Sequence, residues 1–203
     1  MNHLLLSWWV VRNKNKVSLK NAPQQVRIIG GVWRGSKLPV MMRDGLRPTA
    51  SRTRETLFNW LQPMIQGSHC LDLFAGSGVL GFEAVSRGAA RADLIEMDRQ
   101  VVDILQQQAL RLHARQVNIV HQAAQKFISQ TDHQYDVVFI DPPFHEIDLA
   151  NLLTQLHTTQ IVKTDAKIYI EAPKQCLPDE LPTNWVWQRQ SKAGEVEYGL
   201  IST

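Results

Sequence analysis

Cysteines, long apolar runs and clustered histidines are what this 203-residue chain has least of. The apolar stretch near its start, Leu4-Leu5-Leu6-Ser7-Trp8-Trp9-Val10-Val11, is far shorter than the roughly 20 residues that span a bilayer. Its basic residues follow the stretch instead of preceding it, and no small-residue cleavage site comes after, so it does not read as an export signal. It reads either as an extension outside the folded domain or as a translation start placed upstream of the native one. The two cysteines, Cys70 and Cys176, are too few and too far apart for a disulfide framework or a zinc cluster, which fits a reducing cytoplasm. His69, His113, His121, His133 and His145 show no metal-ligand spacing, and no metal is expected. Internal repeats and low-complexity tracts are absent.

Acid is scarce at one end. Residues 1–54 carry eleven Lys or Arg against the single acid Asp44, a net +10, whereas the remainder holds eleven basic and eighteen acidic residues, a net −7. A basic arm on a mildly acidic body is the footprint of a protein that meets phosphate. With 44% hydrophobic and 20% charged residues, the body has the make-up of an ordinary globular domain, and its length suits one α/β core.

Past the tail, Val26 to Trp33 breaks at Gly30-Gly31 and is followed by Lys37-Leu38-Pro39-Val40, the pattern of a small basic β-hairpin. Ser51 to Leu61 predicts a helix with Leu57, Phe58 and Leu61 on one face. Arg52 and Arg54 in its first turn oppose the helix dipole, so an anion is expected nearby. Strands are expected over 69–74, 92–96, 117–120, 137–140 and 167–170, alternating with helices over 79–87, 99–112, 123–129 and 148–157. That rhythm predicts a parallel sheet with helices on both faces, closed by an antiparallel hairpin over 185–192 and 195–202.

Leu71-Asp72-Leu73-Phe74-Ala75-Gly76-Ser77-Gly78-Val79-Leu80-Gly81 sets a glycine-rich turn between the first of these strands and its helix. Glycine lets the backbone approach a ligand, and the following helix offers unpaired N–H groups. The spacing Gly76-x-Gly78-x-x-Gly81, with Glu96 20 residues after Gly76, also satisfies the dinucleotide fingerprint, so the pattern indicates an adenosine-containing cofactor without saying which. Glu96 can accept both hydroxyl hydrogens of a ribose, with Asp98 close by. Asp72 can hold the loop's amides or reach a cofactor ammonium group.

Val137-Val138-Phe139-Ile140-Asp141-Pro142-Pro143-Phe144 is an apolar strand ending on a carboxylate, two prolines and an aromatic ring. The prolines remove two N–H donors and leave carbonyl oxygens. A carboxylate beside a donor-free carbonyl is an acceptor pair suited to an NH₂ group, and Phe144 offers a face for a stacked base. Methylation of an exocyclic amine needs this arrangement, because the nitrogen lone pair is delocalised into the ring. Two acceptors on its N–H bonds favour a pyramidal nitrogen aimed at the electrophile, and the carboxylate stabilises the developing positive charge.

In this combination the residues resemble the class I S-adenosylmethionine-dependent methyltransferases that modify amino groups. More closely, Arg27-Ile28-Ile29-Gly30-Gly31-x-Trp33-Arg34-Gly35-x-Lys37-Leu38-Pro39, Leu46-Arg47-Pro48-Thr49 and Arg54-Glu55-Thr56-Leu57-Phe58-Asn59-Trp60-Leu61 resemble the small-subunit methyltransferase D family of bacterial 16S ribosomal RNA guanine-N2 methyltransferases. The resemblance implies a Rossmann-like class I methyltransferase fold, with a seven-stranded, mostly parallel sheet and a C-terminal antiparallel hairpin. It divides the chain into a tail over 1–25, a basic RNA-binding hairpin over 26–48 and a methyltransferase domain over 49–203. It implies S-adenosyl-L-methionine held by Asp72, Phe74, Ala75, Gly76, Ser77, Gly78, Glu96, Met97, Asp98 and Ala124. Amine binding falls to Asp141 and the Pro142 carbonyl, with Pro143 stiffening the loop and a flipped guanine stacked on Phe144. Arg27, Arg34, Lys37, Arg47, Arg52 and Arg54 are the expected phosphate contacts, and Trp33 is a candidate RNA contact. The implied substrate is 16S ribosomal RNA in a 30S assembly particle, met by a monomer in the cytoplasm.

Two departures from the family pattern stand out: Ser51 where Asp is usual, and Ala123-Ala124 where a polar residue and alanine follow the third strand. Three other functions remain open on the residues. A DNA adenine or cytosine amino-methyltransferase uses a similar motif but would bring a target-recognition domain that is not visible. A nicotinamide-dependent oxidoreductase leaves Asp141-Pro142-Pro143-Phe144 unexplained. A non-catalytic RNA-binding factor needs the arm and not Asp141.

Overall fold

The computed structural model describes residues 25–41, 51–143 and 147–203. A two-stranded antiparallel ribbon, β1 (Gln25–Arg27) and β2 (Lys37–Pro39), precedes helix α1 (Ser51–Leu61). The chain then alternates through β3 (His69–Asp72), α2 (Val79–Ser86), β4 (Arg91–Glu96), α3 (Arg99–Arg111), β5 (Val117–His121), α4 (Ala124–Gln130), β6 (Tyr135–Ile140), α5 (Leu149–Thr158) and β7 (Val162–Pro173). It ends in the hairpin β8 (Val186–Ala193) and β9 (Val196–Ser202).

Seven strands form one sheet in the order β5-β4-β3-β6-β7-β9-β8. Strands β3 to β7 run parallel, and β9 inserts antiparallel between β7 and β8. The central strands carry apolar residues on both faces, as a sheet covered on both sides requires. Helices α1, α2 and α3 share a core with Cys70, Val137, Phe139 and Tyr169. On the other face α4 and α5 pack with Leu71, Val138, Ile140 and Ile170. Strand β7 is far longer than the apolar run 167–170 predicts, because β9 supplies partners from Lys167 to Pro173.

The N-terminal ribbon is tied into this core. Val26, Ile28 and Leu38 are buried with Leu57, Phe58 and Leu61 of α1, each such side chain contributing roughly 1.5–3 kcal/mol. Its loop lies on the end of α2: Val32 N donates to the Ser86 carbonyl (2.8 Å), Trp33 N to Ser86 Oγ (2.9 Å), and Ser86 Oγ to the Gly30 carbonyl (2.6 Å). Gly31, at φ 73°, is obligatory here, since a Cβ would fall 1.7 Å from the Ser86 carbonyl oxygen.

Fully buried Glu83 of α2 holds the arm from below. Its Oε2 accepts from Ile29 N (2.7 Å) and lies 3.7 Å from Arg54 Nη1, while its Oε1 accepts from Arg87 Nε (2.7 Å). Arg54 in turn donates from Nη1 to the Arg27 carbonyl (2.8 Å) and from Nη2 to Ser51 Oγ (3.3 Å). The anion expected beside the first turn of α1 is therefore Glu83, for Arg54. Ser51, the departure from the family pattern, keeps an acceptor at that place. Burial lowers the Arg54 pKa from its ordinary value, and the Glu83 charge opposes that effect.

Glu83→Ala should strand the Arg54 charge in the core and cost about 3–5 kcal/mol in urea unfolding, with faster hydrogen exchange at the Ile29 amide. A loss below about 1 kcal/mol would show that the clamp is dispensable.

Candidate active site at the carboxyl edge of the sheet

Strand order reverses between β3 and β6, and ligands in open α/β sheets gather outside the strand ends at such a point. Beyond the end of β3, Leu73 N donates to the Phe139 carbonyl of β6 (3.1 Å) and Ala75 N to the Ile95 carbonyl of β4 (3.0 Å). The chain thus stays joined to both neighbours until it enters the glycine turn, which Gly78 N closes onto the Ala75 carbonyl (2.6 Å).

The three glycines divide the work. A Cβ on Gly78 would meet Leu105 Cδ2 at 2.6 Å, and one on Gly81 would meet Leu94 Cδ1 at 2.4 Å, so both let α2 sit close to its neighbours. At Gly76, with φ 49°, the nearest atom to such a Cβ is the Phe74 carbonyl oxygen at 3.9 Å. Gly76 therefore borders open space, as a cofactor contact must. Gly78 is buried and its amide is used within the turn.

Three carboxylates surround the turn. Glu96 accepts from Gly76 N with Oε2 (3.1 Å) and from Asp98 N with Oε1 (2.8 Å). Asp98 caps α3, its Oδ1 accepting from Gln100 N (2.7 Å) and Val101 N (3.3 Å). Asp72 is buried and its Oδ2 accepts from Gly81 N (3.3 Å). Desolvation pushes its pKa up to about 7, helped by the Glu96 charge and opposed by the Gly81 and Phe74 amides. Phe74 and Ser77 are half-buried, Ala75 is buried and Met97 is 72% exposed. Ala124 is buried at the start of α4, where Ala123 offers no side-chain cap. Open space at Gly76, a strand-end carboxylate and an exposed thioether side chain together suit an adenosine moiety.

Asp141 follows β6 at this same edge. The register sets Phe139 opposite both Asp72 and Tyr169, which brings the end of β6 between the glycine turn and β7. Asp141 is half-buried, Pro142 is buried and Pro143 is half-buried, while Phe144 lies outside the described residues. A cavity of about 250 Å³ adjoins the prolines on the α5 side, bounded also by Leu149, Ala172 and Pro178. Beside Asp141 stands a pair that sequence reasoning missed. Glu171 of β7 is only 4% exposed, and its Oε2 accepts from the Tyr169 hydroxyl (2.9 Å). Burial, then the charges of Glu171 and Asp141, raise the Tyr169 pKa well above its ordinary value, so the three groups form one cluster.

Of the expected phosphate contacts, Arg27, Arg34, Lys37 and Arg52 are exposed, and Arg47 lies outside the described residues. Arg54 needs correction: it is fully buried, faces Glu83 and the Arg27 carbonyl, and has no surface from which to reach RNA. Trp33 packs edge-on against Phe82 at a 6.3 Å ring separation, so part of its ring serves docking of the ribbon.

Residues 26–202 match the protein family described as Conserved hypothetical protein 95. The chain belongs to that family. It is 43% identical over 189 residues to ribosomal RNA small subunit methyltransferase D of Haemophilus influenzae, covering 91% of this chain and 97% of the relative. Against the protein of the same name from Escherichia coli it is 46% identical over 176 residues, covering 87% of this chain and 89% of the relative. Among solved structures, one described as "Putative methyltransferase yhhF from Escherichia coli" superposes with a TM-score of 0.80 at 46% identity, covering 88% of this chain and 98% of that one. The fold is thus the class I methyltransferase fold.

The raised Asp72 value carries a pH dependence. The native state binds this proton more tightly than the unfolded chain, so the contribution is fully present below the ordinary carboxyl pKa and is lost as pH rises through about 7. Between pH 5 and 8, wild type should lose roughly 2–3 kcal/mol relative to Asp72→Asn in urea unfolding of the cofactor-free protein. Parallel stability curves for the two proteins would contradict the assignment.

Proposed function

We propose that this chain is an S-adenosylmethionine-dependent methyltransferase that modifies the N2 amine of a guanine in 16S ribosomal RNA, within an assembling 30S particle. The observation that carries the reading is Asp141-Pro142-Pro143 standing at the switch point beside the Gly76 turn and Glu96. The names of the relatives supply the substrate class.

Gly76 and the Glu96 carboxylate would hold the adenosine end of the cofactor, with Met97 against the base and Asp72 toward the ammonium group. S-adenosylmethionine supplies, when bound, a methyl group on a sulfonium leaving centre. The chain's own residues then do the rest. The Asp141 carboxylate and the Pro142 carbonyl accept the two N2–H bonds of the guanine, turning the nitrogen lone pair toward the methyl carbon. As the N–C bond forms, positive charge grows on nitrogen and Asp141 stabilises it, then takes the released proton or passes it to water. Phe144 supplies the stacking face for the extruded base. Exposed Arg27, Arg34, Lys37 and Arg52 contact phosphate, and the ribbon's clamp on α2 fixes them relative to the cofactor turn. The protein acts as a monomer in the cytoplasm.

The Asp141→Ala variant should retain binding of S-adenosylhomocysteine by calorimetry while methyl transfer falls at least roughly 100- to 1,000-fold. Ribosomal RNA from cells lacking this protein should miss one N2-methylguanine, restored by wild type and not by the variant. Undiminished turnover by folded Asp141→Ala would refute the catalytic role, and an unchanged N2-methylguanine map would refute the substrate.

A further inference from the structure

We propose that the groove between the end of α3 and the outer strand β5 is a second RNA-binding surface, which takes an unpaired stretch of the substrate strand and continues the contact begun by the basic ribbon. The inference rests on the RNA reading above and adds where the substrate is held away from its target base.

Strand β5 is the outermost of the seven, and the turn that leads into it from α3 leaves the surface hollow. The open groove there has a volume of about 670 Å³ and is lined by Leu110, Ala114 and Ile119 together with Gln106, His113 and Arg115. Backbone bonds fix its shape. His113, at φ 52°, ends the helix in the left-handed conformation while its N–H donates to the Leu110 carbonyl (3.1 Å), and Ala114 N donates to the Ala109 carbonyl (2.8 Å). Leu110 is 76% exposed, so its apolar surface is open to a flat partner.

Charge decides what the groove fits. None of the residues lining it is acidic. From Ile104 to Thr131 the chain holds no Asp or Glu and carries Arg111, Arg115, Lys126 and two histidines, although acids outnumber bases eighteen to eleven over residues 55–203. Apolar lining alone would suit a protein equally well, whereas a basic, acid-free rim on an acidic body suits a polyanion.

Continuity points the same way. Arg111 Nη2 donates to the Lys37 carbonyl (2.7 Å), so β2 of the ribbon lies against the last turn of α3, beside the groove. Helices α2 and α3 both lead away from the glycine turn; Ser86 at the end of one holds the ribbon's loop, and Arg111 at the end of the other holds its second strand. Helix α3, thirteen residues at about 1.5 Å each, sets the groove roughly 20 Å from the cofactor edge. An RNA strand there can rest an unpaired base on the apolar lining while Arg115 meets its phosphate. Contacts so remote from the chemistry strengthen substrate capture and leave the methyl-transfer step alone.

Methyl transfer to small-subunit particles and binding of 16S ribosomal RNA are measured with wild type, Arg115→Glu and Arg115→Gln. Arg189→Glu, on exposed β8 at the opposite sheet edge, controls for net charge. Arg115→Glu should raise KM for the particle roughly tenfold with kcat within about twofold of wild type, and Arg115→Gln should reduce the salt slope of RNA binding by about one. Both should bind S-adenosylhomocysteine as wild type does by calorimetry, and Arg189→Glu should keep the wild-type KM. Photo-crosslinking from Leu110→p-benzoylphenylalanine should join the groove to 16S ribosomal RNA. An unaltered KM in Arg115→Glu, an equal rise in Arg189→Glu, or a crosslink confined to a ribosomal protein or to a second copy of this chain would overturn the proposal. If wild type neither binds nor methylates the particle, the RNA reading itself fails, and this inference with it.

Discussion

Everything in this molecule depends on β3 being held in parallel register between β4 and β6. Two backbone hydrogen bonds past the strand end, from Leu73 to Phe139 and from Ala75 to Ile95, carry that register into the loop. They bring a glycine turn from one strand, a carboxylate from the second and the Asp-Pro-Pro segment from the third to one edge of the sheet. Parallel strands make this possible, because all their carboxyl ends face the same way and the crossovers are left to helices. Buried side chains on both faces keep the strands from sliding, since a slip of one residue would turn Asp141 and Glu96 to the opposite face.

The basic arm obeys the same logic by different means. A short ribbon has little stability alone. Here it is fixed by Glu83 and Ser86, which sit on the helix that begins at the glycine turn. The basic ribbon and the glycine turn therefore share one rigid support. Were RNA held by Arg34 and Lys37 as proposed, it would be set at a constant distance from the glycine turn, which is what positioning demands of a transferase.

The elements legible in the sequence were those whose signal is local. The glycine turn, Glu96 twenty residues on and the proline pair after an apolar strand each announce their chemistry through adjacent residues, and helix α1 follows from Leu57, Phe58 and Leu61. What escaped depends on pairing across the fold. Arg54 has the look of a phosphate contact until Glu83, in the next helix, is seen beneath it. The extension of β7 to Pro173 follows from β9, which arrives from far along the chain. Glu171 did leave a trace, an acid inside Ile168-Tyr169-Ile170-Glu171-Ala172 where an apolar strand should have none. It is the same signal as Asp141 and lacks only a familiar motif around it.

In the proposed arrangement a carboxylate and a donor-free carbonyl would clasp the amine of the target base next to the cofactor's sulfur. A crystal structure with S-adenosylhomocysteine and a guanine-containing RNA fragment measures this directly. N2 is expected within about 2.7–3.2 Å of both an Asp141 oxygen and the Pro142 carbonyl oxygen, facing the sulfur. A base seated elsewhere, with its amine turned away from Asp141, would contradict it.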